Sequence, residues 1–222
     1  MNKEQETLTR ICITGGIACG KSLVGSVLTD FGIPLQDADD ICHKLIKSGT
    51  DLFNRIVSDF GKSIIGPDGE INRHTLGKII FSDAKKRKQL NSLVHPCAER
   101  ALNEWISICS TQSMSSELKK RGTRAIAAVI PLIYEKGWAD SWDYVICVAA
   151  PMTIQIARLK NRGLSEQEAL IRINAQMPVE EKMDLADYVI FNTGNIKNTR
   201  AQTVKLFDYI INQMEKKYER KE

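Results

Sequence analysis

No Cys-x-x-Cys pair occurs in the 222 residues, and no apolar run approaches the ~18 residues that a membrane-spanning helix needs. The first absence argues against a zinc module of the usual spacing. The six cysteines, at positions 12, 19, 42, 97, 109 and 147, also lack the look of a disulfide framework. Most lie in apolar runs and are expected to be small core residues in a reducing compartment. The second absence leaves nothing to span a membrane, and Met1 to Thr7 is polar and mixed in charge, unlike a signal or transit peptide. The expected location is therefore the cytosol. Internal repeats and low-complexity tracts are missing as well. Charge of one sign is scarce in excess: 31 Lys and Arg against 27 Asp and Glu leave a formal +4, too mild to argue for nucleic acid. It suits a polyanionic small molecule if the positive charge gathers at a site.

What the chain does contain is Gly15-Gly16-Ile17-Ala18-Cys19-Gly20-Lys21-Ser22, which fits the pattern Gly-x-x-x-x-Gly-Lys-Ser/Thr of a phosphate-binding loop. Arg10 to Thr14 upstream is a strand-type apolar run, and Leu23 to Phe31 downstream has apolar residues at helical spacing. Glycines let the backbone curl so that successive N–H groups converge on a phosphate, and the helix N-terminus adds its positive end. Lys21 is then expected to reach the β- and γ-phosphates, and the Ser22 hydroxyl to ligate Mg²⁺. The motif points to phosphate binding and leaves the reaction open.

Further along, Gly32 to Gln36 reads as a turn into a short second strand ending at Asp37-Ala38-Asp39-Asp40. Helical patterns follow, punctuated by Gly49, Gly61 and the Gly66-Pro67-Asp68-Gly69 turn, with Asp83 placed to cap the next helix. Apolar positions then run to His95-Pro96, after which a long helical pattern carries Ala101 to Cys109. Ser110 to Arg124 is serine-rich, then basic, and reads as an exposed connection. Ala125–Ile130, Tyr144–Ala149 and Tyr188–Phe191 are continuous apolar runs of the kind buried on both faces of a sheet. Gln155 to Arg162, Glu166 to Asn174 and Ile196 to Lys217 read as helices, the middle one opened by a Ser165/Glu168 capping box. Alternating strands and helices predict a parallel sheet covered on both faces. Between the second strand and Ala125 lie roughly 85 residues of helical pattern, far more than one crossover needs. That insertion is a candidate acceptor-binding subdomain.

Asp37 and Asp39 stand at the predicted C-terminal end of a strand, where α/β proteins bind their ligands. One carboxylate could orient or deprotonate an acceptor hydroxyl and the other assist Mg²⁺ through water. The competing role for either, and for Asp40, is a helix N-cap. Arg158 and Arg162 share a helical face and could clamp phosphoryl oxygens, although exposed helical arginines are commonly just solvated. Pro131-Leu132-Ile133-Tyr134-Glu135 leaves a strand end and should border the crevice, with a local cap or pair as the alternative for Glu135. His95 before Pro96 carries less, since it can simply shape a turn. Trp138, Trp142 and Asp143 read as structural.

In order along the chain, the residues that matter are Thr14 to Ser22, Asp37-Ala38-Asp39, Phe60-Gly61, Asp68-Gly69, Ile80-Phe81, Leu90-Asn91 and His95-Pro96. Pro131-Leu132 with Glu135, Gln155, Arg158-Leu159, Arg162, Gln176, Lys182, Ala186 to Ile190 and Asn192-Thr193-Gly194 complete the series. Together they resemble the dephospho-CoA kinase family, over about Ile11 to Gly194. The resemblance implies transfer of the ATP γ-phosphoryl group to the ribose 3′-hydroxyl of dephospho-CoA, the last step of coenzyme A synthesis. It implies an α/β fold of P-loop NTPase type: three layers, a five-stranded parallel sheet, an inserted helical acceptor subdomain (about 40–122) and a helical lid (about 156–184), within a single domain spanning 9–214. By position it makes Asp37, Lys21 and Arg158 catalytic. Gly15, Gly16, Ile17, Ala18, Cys19, Gly20, Lys21, Ser22, Leu23, Arg162, Asn192 and Gly194 would hold ATP, and Ser22 the Mg²⁺. Asp37, Asp39, His95, Pro131, Leu132 and Glu135 would hold dephospho-CoA.

The loop departs from that family, which usually has Gly-Ser at Ala18-Cys19 and Thr at Leu23. Ala18 is expected to permit the turn only with negative φ, and the hydroxyl lost at Leu23 to weaken ATP binding. Cys19, beside Lys21 and a helix N-terminus, is either a reactive thiol of lowered pKa that ATP protects, or an inert, partly buried one. Two rival functions stand beside the main one. A nucleoside monophosphate kinase would lack the combination of Asp37-Ala38-Asp39, His95-Pro96 and Pro131 to Glu135. A GTP-binding switch would need an Asn-Lys-x-Asp motif, which the chain does not contain.

Overall fold

The computed structural model describes residues 8–111 and 124–219, with side chains to residue 213. The N-terminal stretch 1–7 and most of the serine-rich and basic connection, residues 112–123, lie outside it. Among the described residues the backbone divides into two compact units: residues up to Gln36 together with those from Cys109 on, and Asp37–Ile108.

The first unit is built on a parallel sheet of β1 (Thr9–Gly15), β2 (Leu35–Asp37), β3 (Ala125–Val129), β4 (Tyr144–Ala149) and β5 (Tyr188–Phe191), in the order β2-β3-β1-β4-β5. Parallel strands need crossover connections: β1 to β2, β2 to β3 and β4 to β5 are joined through α-helices, and β3 to β4 through turns and the short 3₁₀ segment Ala139–Ser141. β1 lies at the centre, pairing Ile13 with Val129 of β3 on one side and Ile146 of β4 on the other. That position buries it on both faces, which is why its sequence is apolar rather than alternating. β3 is buried at every residue. β5 differs from the expectation of a fully buried strand: it is the sheet's edge, Tyr188 and Val189 are half-buried and Phe191 is exposed. The Gln202 side chain occupies backbone groups at Phe191, accepting from its N–H at 3.1 Å and donating to its carbonyl at 3.0 Å.

Helices α1 (Lys21–Asp30) and α9 (Ile196–Glu219) pack on one another. The rings of Phe31 and Phe207 sit 4.9 Å apart where the two helices meet, next to the buried Leu28, Ile33 and Ile210. The remaining helices of this unit are α6 (Met152–Lys160), α7 (Glu166–Asn174) and α8 (Val179–Leu185). Both halves of the Ser165/Glu168 capping box are formed. α8 is not foreseen above. Its signals are Pro178 just before the first turn and Glu180-Glu181 within it, a short stretch with too few turns to show periodicity.

The second unit contains α2 (Ala38–Leu45), α3 (Asp51–Phe60), α4 (Arg73–Ser82) and most of α5 (Ala84–Thr111), around Leu52, Phe53, Ile56, Ile64, Ile71, Leu76 and Val94. Its helices begin where side chains can accept the first free N–H groups: Thr50 from Phe53, Asn72 from Thr75, and Asp83 from Lys85 and Lys86. The His95-Pro96 dipeptide does not break the chain. α5 runs 28 residues with Pro96 inside it. Val94 and Ala98 are buried on either side of the proline, so packing of the apolar face offsets the backbone hydrogen bond that proline forfeits.

Candidate active site

The loop after β1 has the backbone that phosphate binding requires. Gly15 has φ +135° and lies so close to β4 that an added Cβ would collide with the Val148 carbonyl. Gly20, at φ +97°, is the N-cap of α1, and a Cβ there would strike the Asn192 amide. No side chain caps α1, so its N-terminus faces the loop with no side-chain acceptor in the way of a ligand. Lys21 curls back over the loop, donating from Nζ to the Gly15 carbonyl at 3.0 Å and the Gly16 carbonyl at 2.9 Å. Ser22 is exposed at the start of the helix, where a hard hydroxyl oxygen suits Mg²⁺.

One expectation about this loop is corrected, and one alternative is decided. Ala18 has φ +58°, the only positive value at a non-glycine residue among those described, so it adopts the left-handed conformation that was thought to exclude it. The strain is offset by packing: Ala18 is buried against Leu159 of α6 and Ala169 of α7, with Ile17, Ile156, Leu164 and Ile173 around them. Its carbonyl also accepts from Arg158 Nη1 at 3.0 Å. Cys19 is fully buried, and burial pushes its thiol pKa up, outweighing the opposing pull of Lys21. The inert reading of Cys19 is the one the geometry supports. Leu23 is half-buried in the first turn of α1.

Arg158 and Asn192 meet at the loop. Arg158 Nη2 donates to the Asn192 carbonyl at 2.9 Å, while Asn192 Nδ2 donates to the Cys19 carbonyl at 2.8 Å. Asn192 Oδ1 accepts from Thr199 Oγ1 at 2.9 Å, and its backbone N–H donates to Ala149. The Asn192 side chain is thus committed to bracing the loop, and Gly194 beyond it is exposed. Arg162 is not on the helical face of Arg158: α6 ends at Lys160, and Arg162 lies exposed in the following turn.

The loop after β3 is organised by a residue that periodicity does not reveal. Lys182 of α8 is fully buried and donates to the Pro131 carbonyl at 2.6 Å, with Glu135 Oε1 2.8 Å from its Nζ. Glu135 Oε1 also accepts from the Met177 N–H at 2.9 Å. Leu132 begins the tight turns that close on Gly137. The one hint in the sequence is a lysine among acids on a helix that must pack on a sheet, a charge that needs a buried partner. Asp143 is structural, accepting from the Arg10 N–H at 2.8 Å, and Trp142 is buried.

Asp37, Asp39 and His95 belong to the second unit. Asp37 is both the last residue of β2 and the N-cap of α2, its Oδ1 accepting from the Asp39 N–H at 2.8 Å. Asp39 is exposed in the first turn of α2, and His95 is half-buried midway along α5.

The sequence profile of the dephospho-CoA kinase family matches residues 9–198. A dephospho-CoA kinase of Geobacillus kaustophilus is 38% identical over 201 residues, which cover 90% of this chain and 95% of its own length. Among solved structures, the dephospho-CoA kinase from Campylobacter jejuni is similar with a TM-score of 0.64 and 27% identity, over 93% of this chain and 99% of that one. Shikimate kinase from Acinetobacter baumannii, solved with shikimate, has a TM-score of 0.50 at 17% identity over 94% of this chain and 96% of that one, a likeness of fold alone.

Proposed function

This chain belongs to the dephospho-CoA kinase family, and from that premise we propose that it transfers the ATP γ-phosphoryl group to the ribose 3′-hydroxyl of dephospho-CoA by the following division of labour. The backbone from Gly15 to Gly20 and the N-terminus of α1 cradle the triphosphate. The Lys21 ammonium moves from the Gly15 and Gly16 carbonyls onto the β- and γ-phosphate oxygens, where positive charge is most useful as the phosphoryl group departs. The observation that carries this reading is that ammonium, held on a loop whose Gly15 and Gly20 admit no Cβ.

The Ser22 hydroxyl would hold Mg²⁺, whose charge would offset that of the transferring group. Asp37 orients the acceptor hydroxyl and takes its proton, a role compatible with its place at a strand end. Arg158 holds the loop through the Ala18 and Asn192 carbonyls, and turning its guanidinium from these to phosphate oxygens would couple lid closure to ATP. Arg162, exposed on the same segment, follows it. The helical insertion, about residues 40–122, with Asp39 and His95, receives dephospho-CoA, and the segment 156–184 is the lid of a single kinase domain. Asn192 and Gly194 border the ATP base, the former by keeping the loop in place. Pro131, Leu132 and Glu135 border the acceptor. No helix among the described residues is long and apolar enough to cross a membrane, and we place the enzyme in the cytosol.

The test is Asp37→Asn. Loss of a positioned base is expected to lower kcat about 10²- to 10⁴-fold with the KM for ATP nearly unchanged. A near-normal kcat would reduce Asp37 to the helix cap it also is.

A further inference from the structure

Gln155 is a glutamine buried almost completely beside the phosphate loop, with 2% of its surface exposed. Its amide orientation is fixed, because Nε2 donates to the Ala150 carbonyl at 2.9 Å. Oε1 therefore points the other way, toward Gly16, where a Cβ would come within 3.0 Å of it. No donor among the described residues reaches that oxygen. Gln155 lines a pocket, so a ligand hydroxyl placed there can bring this oxygen its hydrogen.

Gln155, Gly16 and Ile17 line a pocket of about 200 Å³, closed further out by Met152, Ile173 and Gln176. Gln176 supplies a buried Oε1 with no partner among the described residues. The lining contains no lysine or arginine and one carboxylate, Glu180, so it does not suit a phosphate or diphosphate. It is smaller than the ~300–1,000 Å³ typical of pockets for drug-sized ligands, which favours one end of the acceptor over the whole of it. Its inner corner is the Gly16 that holds the Lys21 ammonium, so it opens beside the departing phosphoryl group.

We propose that this pocket receives the nucleoside end of the acceptor, and that Gln155 Oε1 accepts a hydrogen bond from the ribose 2′-hydroxyl. The neighbouring 3′-hydroxyl is thereby turned toward the γ-phosphoryl group, and Gln155 becomes a specificity residue for ribose. The inference rests on the reaction assigned above. Gly16 has a second reason to lack a side chain, since a methyl group there would crowd the oxygen that the ribose needs. The pocket wall is kept in place from behind by the Met177 N–H bonded to Glu135.

The experiment compares kcat/KM for dephospho-CoA and for its 2′-deoxyribose analogue, in the wild-type chain and in Gln155→Met. The ratio within one protein cancels general damage to the fold. The wild type is expected to prefer the ribose acceptor roughly 10- to 100-fold, and the variant to lose most of that preference. A wild-type ratio near one, or a ratio unchanged in the variant, overturns the assignment. If Gln155→Met does not fold, Gly16→Ala takes its place, and it too must lower the ratio. A wild-type chain that phosphorylates neither acceptor would instead refute the reaction on which the inference depends.

Discussion

Two opposing effects act on the Cys19 thiol. Lys21 and the helix N-terminus favour the thiolate, while burial favours the neutral thiol, and burial is the larger. A raised pKa means that at pH 8 the thiolate fraction falls below that of a free cysteine, and full burial blocks the reagent as well. Labelling followed by mass spectrometry should therefore find Cys42 and Cys97, both partly exposed, modified in the native protein. Cys12, Cys19 and Cys147 should react only on unfolding, with Cys147 pushed up to about 12 by its burial. Fast modification of Cys19 that ATP suppresses would restore the reactive reading. The sequence showed the groups that lower a thiol pKa but not the burial of Cys19 in the core, with Cys147 to Ala150 of the β4 end, that raises it. Ala18 teaches the same lesson. Its letter implied an ordinary turn, whereas its methyl packs on Leu159 and Ala169, which lie far along the chain.

At the scale of elements, α8 is joined to the loop after β3 by one buried ion pair with unequal partners. The Lys182 side chain has no exposed surface, while that of Glu135 retains 22%. Removing Glu135 strands an ammonium in the interior with only the Pro131 carbonyl near it, and removing Lys182 leaves a carboxylate that still reaches water and the Met177 N–H. Glu135→Ala is accordingly expected to cost about 3–5 kcal/mol and Lys182→Met only about 1–2 kcal/mol. Urea unfolding of both variants checks the order, and an equal or reversed order would show that the pair is not shielded as described. Elements with a strong local signature were legible: β3 and β4 from continuous apolar runs, α7 from its capping box, α4 from helical spacing after the Gly66-Pro67-Asp68-Gly69 turn and the start of α5 from Asp83. The short α8 had too few turns to show a period. The continuity of α5 through Pro96 depends on packing at Val94 and Ala98 that no local rule contains.

For the whole molecule, the order of strands could not be read from the chain, but its parallel character could, because helical patterns alternate with most of the apolar runs. The phosphate loop was legible because its chemistry is nearly all local backbone. The Arg158–Asn192 brace was not, since it ties α6 and the end of β5 to a loop far away in sequence. The account stands or falls on the identity of the acceptor. ADP release by the purified chain, measured with ATP and dephospho-CoA, adenosine or AMP in turn, tests it most directly. ADP should form in step with CoA when dephospho-CoA is present and only slowly with the other two. Strong turnover with AMP alone would contradict the account.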